Sequence, residues 1–454
     1  MAPSMAININ PQGMADSVGA AVPLAFVLAT VGILLVAYTF RRLAQRYDHA
    51  GSVYGYVGAT LGVKAGVIAG WMLIGCYIMG GVLTAVAAGR FATDLAQSIG
   101  AYTDPTEAVI YAIAVVVVLG TLIIALGSAK SSTAILVALE AGTVALILVV
   151  SAVIFFHLLR GSAPAGQTID MSVFTKPTDL PVSALFLGVT FGFLSFAGFE
   201  AATTLGEEAR DPRRAIPWAL GLVPLIGGAF FIVVSAVEVW GFGTNSTGLA
   251  AFENSQSLMG ELATAYVSPW VGDLITIGAL CSAISGTTAC IVAASRLIYA
   301  YNRDDIIPGR FDEVSEETGS PARAIITVAT IVIALILGSA FVLRASSLEV
   351  FIQAGDTFAL LILMVYGLAT IGMVRMVFFA RPPASPLWQV ILPVGALGLL
   401  GYALFSSVWP VPEGVNLWAP CLAFGWTVIG CLVALRVKNV PRSIEEALGE
   451  SVSV

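Results

Sequence analysis

The chain has 454 residues, of which 58% are hydrophobic and only 11% charged, with a formal net charge of −7. Soluble domains carry about 25% charged residues, so this composition, with a mean hydropathy of +0.93, excludes a water-solvated fold and places the chain in lipid. No basic patch suits nucleic acid and no phosphate-binding loop suits an ATP-driven pump. The five cysteines and two histidines lack metal-ligand spacing, so no metal or cofactor is expected and the cysteines read as buried small residues.

In chain order, residues 1–15 (MAPSMAININPQGMA) read as a fragment of a span, interrupted by Pro3, Asn8, Asn10, Pro11 and Gly13. Apolar runs long enough to cross a bilayer, roughly 20 residues each, follow near 20–40, 65–93, 107–127, 132–159, 183–205, 215–241, 268–300, 324–343, 350–379, 387–408 and 417–437. Two amphipathic segments, Arg41 to Val63 and Gly243 to Pro269, read as interfacial helices or hairpins rather than spans. Seventeen of the 21 Lys and Arg residues fall on one side of an alternating topology. That side is expected to be cytoplasmic, together with the C-terminus, in a multi-pass protein of the cell membrane.

The run 183–205 departs from an ordinary span. Phe191 to Pro217 reads FGFLSFAGFEAATTLGEEARDPRRAIP, with small residues at Ser195, Ala197 and Gly198, then Glu200, then a charged loop. A span must satisfy its own backbone, and an intramembrane carboxylate is costly. A helix that gives up continuity and adds a carboxylate therefore points to ligand handling, as in the binding helix of a secondary transporter. The two interrupted segments lie five spans apart. The expected organisation is one transmembrane unit over 1–442, with related repeats at about 1–160 and 182–380, extra helices over 387–437 and a short tail over 443–454. The fold class is an all-α integral membrane protein of about twelve helices, the first truncated.

Four stretches carry a family resemblance: AYTFRRLAQRYDHAGSVYGYVGATLGVKAGVIAGW (Ala37 to Trp71), FLSFAGFEAATTLGEEARDPRRAIP (Phe193 to Pro217), AASRLIYAYNRDDIIP (Ala293 to Pro308) and SPARAI (Ser320 to Ile325). Together they resemble the amino acid–polyamine–organocation superfamily of permeases over nearly the whole chain. The resemblance implies a leucine-transporter-like five-plus-five inverted repeat with two extra helices. It also implies transport of amino acids, polyamines or related amines by proton symport or exchange, with the substrate held by backbone groups of the broken first and sixth helices. Members have a complete first span with a Gly-rich break. Here Pro3–Gly13 stands in that place without a Gly-Ser-Gly-like triplet, which points to a start upstream of Met1, the alternative being a degenerate protein.

Helix dipoles support the same region independently. A helix ending inside the membrane exposes N–H groups that suit a carboxylate, or C=O groups that suit an ammonium. Ala6, Ile7, Asn8, Ser195, Phe196, Ala197 and Gly198 are thus candidate backbone ligands, and Glu200 binds an amine or gates. Phe196 or Phe199 either closes over the substrate or packs, as do Trp71 and Tyr77. Glu140, mid-span with no lysine in its helix, is the candidate for proton coupling. Glu238 and Asp356 rank lower, being nearer span ends or in polar surroundings. Ser282, Ser285 and Thr288 either face the first helix or permit close packing. Glu207, Glu208 and Arg213, with Arg210 and Arg214, form the expected cytoplasmic gate. Three rival readings remain: an enzyme built on Asp304–Asp305, a non-transporting sensor of the same fold, and a six-plus-six facilitator.

Overall fold

The computed structural model describes residues 2–47, 53–101, 106–127, 132–200, 212–311, 313, 320–379, 386–412, 414–437, 440, 441 and 444, with side chains left out at 132–136, 212, 213, 387 and 415. Among them the chain forms fifteen α-helices and no strand. These are α1 Pro3–Val18, α2 Val22–Ala44, α3 Val53–Leu61, α4 Val63–Ser98, α5 Glu107–Leu126, α6 Ser132–Leu159, α7 Val182–Phe196 and α8 Pro212–Phe242. There follow α9 Ser246–Asn254, α10 Leu258–Tyr266, α11 Pro269–Arg303, α12 Ala322–Gly338, α13 Ser347–Phe378, α14 Ile391–Ser406 and α15 Trp418–Arg436. Ten segments among the described residues are long and apolar enough to cross a membrane. The two expected amphipathic segments contain α3 and the pair α9 and α10.

A single helix over Pro3–Ala44 would measure about 63 Å, twice a hydrocarbon core of about 30 Å. Gly19 prevents this: at φ +56° and ψ −131° it takes a backbone open to glycine, and the chain turns through Gly19–Ala21. The contacts along α7 record the reversal. A Cβ on Gly188 would touch Val18 and Ala25, whereas one on Gly192 would touch Met14 and Ala29. Advancing along α7 therefore moves back along α1 and forward along α2, so α1 and α2 run antiparallel. By the same logic α2 opposes α8, since Phe26 stacks on Phe231 at 5.4 Å while Thr30 lies against Gly228.

The interruption expected at Pro3–Gly13 is not one; α1 is a continuous helix. Pro3 stands at the start of α1, where its missing N–H costs nothing, and Pro11 is carried inside the helix. The polar residues of α1 are rivets to its neighbours rather than loop formers. Asn10 Nδ2 donates to Ser195 Oγ at 2.8 Å, and Gln12 Nε2 donates to the carbonyls of Phe252 and Ser255.

α4 and α13 form the buried centre, α4 packing along α11 and α13. The approach rests on small residues: a Cβ on Gly80 would lie 2.7 Å from Cys290 Sγ, and Gly278 sits against Thr143. By contrast α5, α12, α14 and α15 are largely unburied, and side chains such as Val116, Ile123, Val428 and Leu435 present an apolar surface suited to lipid. The Trp71–Trp426 stack, 5.0 Å between centroids, fastens α15 to α4. Across the bundle α1 packs on α7, α2 on α8, α4 on α11 and α5 on α12.

Candidate functional site

α7 ends after 15 residues, about 22 Å of helix. That is too short to cross a core of about 30 Å. The stop in α7 is set by the small residues singled out in the sequence: Ala197 leaves the helical region at ψ 140° and Gly198 takes φ +96°. With the helix ended, its last carbonyls have no intrahelical donors.

Glu200 organises this end. Its Oε2 accepts the Gly198 N–H at 3.0 Å and the Tyr366 hydroxyl of α13 at 2.8 Å. Glu200 and Tyr366 are both buried. Phe199, Phe40 and Tyr366 meet edge to face with centroids 5.6–5.9 Å apart. Phe196, without exposure, lies edge-on to Phe231 at 5.3 Å. Both phenylalanines flanking the break are therefore held in aromatic clusters, and Trp71 is held by Trp426.

The open end of α1 lies at Pro3–Met5, earlier than the expected Ala6–Asn8. The Ser4 N–H donates to Glu140 Oε1 at 2.8 Å and the Met5 N–H to Ser282 Oγ at 3.3 Å. Ala6 already bonds within the helix through Ala2 O. Ala6, Ile7 and Asn8 are buried in the body of α1. Asn8 pins it to α10, with Oδ1 accepting from Ser257 Oγ at 3.1 Å and the Met259 N–H at 3.0 Å. Glu140, the candidate for proton coupling, caps a helix N-terminus, where the amides and the dipole favour a carboxylate. Of the hydroxyls on α11, Ser282 meets α1, whereas Thr288 turns to Thr121 of α5.

Glu207, Glu208, Arg210 and the side chain of Arg213 lie outside the described residues, and Arg214 is exposed. Asp356 is half-buried on α13, and Glu238, ranked low in the sequence for its place near a span end, is wholly buried. The Asp304–Asp305 pair is structural: Asp304 accepts from Tyr54 at 3.2 Å and pairs with Arg303 at 3.4 Å. Burial and the Asp304 carboxylate hold the Tyr54 hydroxyl above its usual range. Among the described residues no cluster of His, Cys, Asp or Glu suits a metal. Cys421 is exposed rather than buried. A cavity of about 520 Å³ lies away from both helix ends, between α5 and α12, lined by residues including Glu107, Tyr111, Phe341 and Arg344.

Comparison with known proteins agrees with a bundle of apolar helices. Residues 12–410 match the amino acid permease family. The vacuolar cationic amino acid transporter 4 of Arabidopsis thaliana is 24% identical over 368 residues, covering 76% of this chain and 56% of that protein. An uncharacterised transporter of Mycobacterium tuberculosis is 30% identical over 321 residues, covering 71% of this chain and 67% of its own. The low-affinity putrescine importer PlaP of Escherichia coli is 27% identical over 316 residues, covering 68% and 66%. The chain thus spans between about half and two thirds of the length of these relatives. They are transporters, not enzymes, and with 399 residues matched by one family the chain belongs to the amino acid permeases, as a multi-pass membrane protein.

Proposed function

We propose that this permease moves amino acids or related amines, polyamines among them, across the cytoplasmic membrane by alternating access, through proton symport or exchange. One observation carries the reading: α1 and α7 run antiparallel, and α7 breaks at Ala197–Gly198 with Glu200 bonded at its open carbonyl end. The carbonyl end, with Ser195, Phe196, Ala197, Gly198 and Glu200, suits an ammonium group. The amide end at Pro3–Met5 suits a carboxylate and is held here by Glu140. Two relatives are named for cationic amino acids and putrescine, which favours an amine substrate. The pairing of α1, α2, α4 and α5 with α7, α8, α11 and α12 supports two related repeats, and the bundle that holds the broken helices rocks against the rest as the site changes sides. Glu207, Glu208 and Arg213 keep their proposed place as a cytoplasmic gate, on the side that also carries the C-terminus.

The test is uptake into proteoliposomes of a labelled panel of amino acids and polyamines, with and without an inward proton gradient, alongside binding in detergent. Uptake or counterflow of a bound amine establishes the permease. Binding without flux under either condition would favour the sensor.

A further inference from the structure

Among the described residues, Glu238 of α8 has no exposure, and neither of its carboxyl oxygens has a hydrogen-bond partner. It differs in this from Glu140 and Glu200, each of which accepts named N–H or O–H groups. Every residue from Val234 to Gly241 is buried. One turn beyond Glu238, Gly241 packs against Leu262 of α10 and Ile154 of α6, and its carbonyl accepts the Tyr266 hydroxyl at 3.1 Å. One turn from Ile154 on α6, Ser151 is buried with its hydroxyl also unpartnered.

The charged and titratable groups of the elements packed on α8 do not bond to Glu238. Glu140 of α6 is engaged by Ser4, and His157 by Ser162. Glu261 of α10 accepts from Gln256, and Tyr266 donates to Gly241. Asp16 of α1 and Glu253 of α9 have some exposure, Arg41 and Arg42 stand at the far end of α2, Tyr38 of α2 donates to Gln389, and Asp170 before α7 is engaged by Ser172 and Thr244. α7 carries no charged side chain.

A buried carboxylate without counter-charge or donor bears its whole desolvation cost, whereas a neutral acid leaves only polar atoms unpaired. A purely structural acid would be expected to find partners. We infer that Glu238 carries the coupling proton of the permease, an inference that rests on the transport reading above. In the arrangement seen here it is the neutral acid. When the α9–α10 segment lifts, water on that side protonates it; when the segment has returned and the site opens to the other side, it gives the proton to water there. That segment is pinned to α1 by Asn8 and Gln12, so exposure of Glu238 is tied to movement of a substrate-binding helix.

The experiment compares wild type, Glu238→Gln and Glu238→Asp in proteoliposomes for counterflow and for gradient-driven accumulation across a range of pH. The Gln variant, which mimics the neutral acid, is expected to keep counterflow and to lose accumulation down to the level without a gradient. The Asp variant is expected to keep accumulation with a displaced pH profile. If Gln also abolishes counterflow, the Asp variant decides: restored gradient-dependent transport supports the inference, and none overturns it. Wild-type transport indifferent to the gradient, or a Gln variant that still accumulates, overturns it as well. No flux in any form by the wild type would instead remove the permease reading itself.

Discussion

Glu140 Oε1 accepts the backbone N–H of Ser4 at 2.8 Å across 136 positions of sequence, so a side chain of α6 caps the open end of α1. The neighbouring Met5 N–H is taken by Ser282, and two of the orphan amides of α1 are thereby satisfied by two different helices. The N-terminal turn of α1 is thus kept in register by α6 and α11.

Removing this cap tests it directly. Glu140→Ala is expected to cost about 1 kcal/mol, the range of a lost N-cap. Glu140→Gln keeps an acceptor oxygen and gives up mainly the charge–dipole part, about 0.3–1 kcal/mol. Thermal unfolding in detergent should order the proteins as wild type, Gln, then Ala. An Ala variant as stable as wild type would show that Glu140 does not hold α1.

The second helix end makes a parallel prediction. Tyr366→Phe removes one of the two named donors to Glu200 Oε2 and is expected to cost about 1–3 kcal/mol, because the acceptor is buried. In a Glu200→Gln background the same change should cost less, giving a non-zero coupling in a double-mutant cycle. Costs that simply add, within about 0.5 kcal/mol, would mean that the bond does not fasten α7 to α13.

Much of this was legible in the sequence, for physical reasons that particular residues make plain. Hydropathy placed α6 at 132–159, as observed, and the small residues Ser195, Ala197 and Gly198 marked the end of α7. The misreadings share one cause: local pattern does not show partners. Asn8 and Asn10 looked like interruptions of a span because their bonds go to α10 and α7, 185 to 251 positions away. Phe196 and Phe199 flank the break but are committed to Phe231 and to Phe40 with Tyr366. Glu238 stands four residues from the end of α8, which in sequence suggests a wet position. The packing of α10 and α6 on Gly241, one turn further on, makes the site dry.

The helix crossings separate two kinds of close approach. Gly278 of α11 meets the side chain of Thr143 on α6, so Gly278→Ala should destabilise, and Thr143→Ala in the same chain should recover much of the loss. Gly66 of α4 instead meets backbone, with an added Cβ 2.7 Å from Gly58 Cα and 3.0 Å from the Tyr54 carbonyl of α3. No side-chain deletion can relieve Gly66→Ala. Melting temperatures of the two single variants and the double variant decide the matter; failure of Thr143→Ala to rescue would mean that α6 and α11 do not cross there.

Outside the spans, Asp170 joins the loop before α7 to the end of α8. Its Oδ1 accepts the Ser172 N–H at 2.9 Å, its Oδ2 accepts from Thr244 at 3.4 Å, and its backbone carbonyl accepts the Trp240 indole N–H at 2.8 Å. The Ser172 backbone N–H first, and the Ser172 side chain next, hold its carboxyl below the usual range. A depressed native pKa contributes stability that is present above the unfolded value, about 3.9 for Asp, and is lost as pH falls through the native value. Asp170→Asn is therefore expected to lower the melting temperature at neutral pH, with the gap to wild type closing below about pH 4. The backbone bond to Trp240 survives the substitution, so the effect should be small and confined to the charge-dependent part. A gap that stays constant from neutral to acid pH would show that the carboxylate charge has no part in docking this loop onto α8.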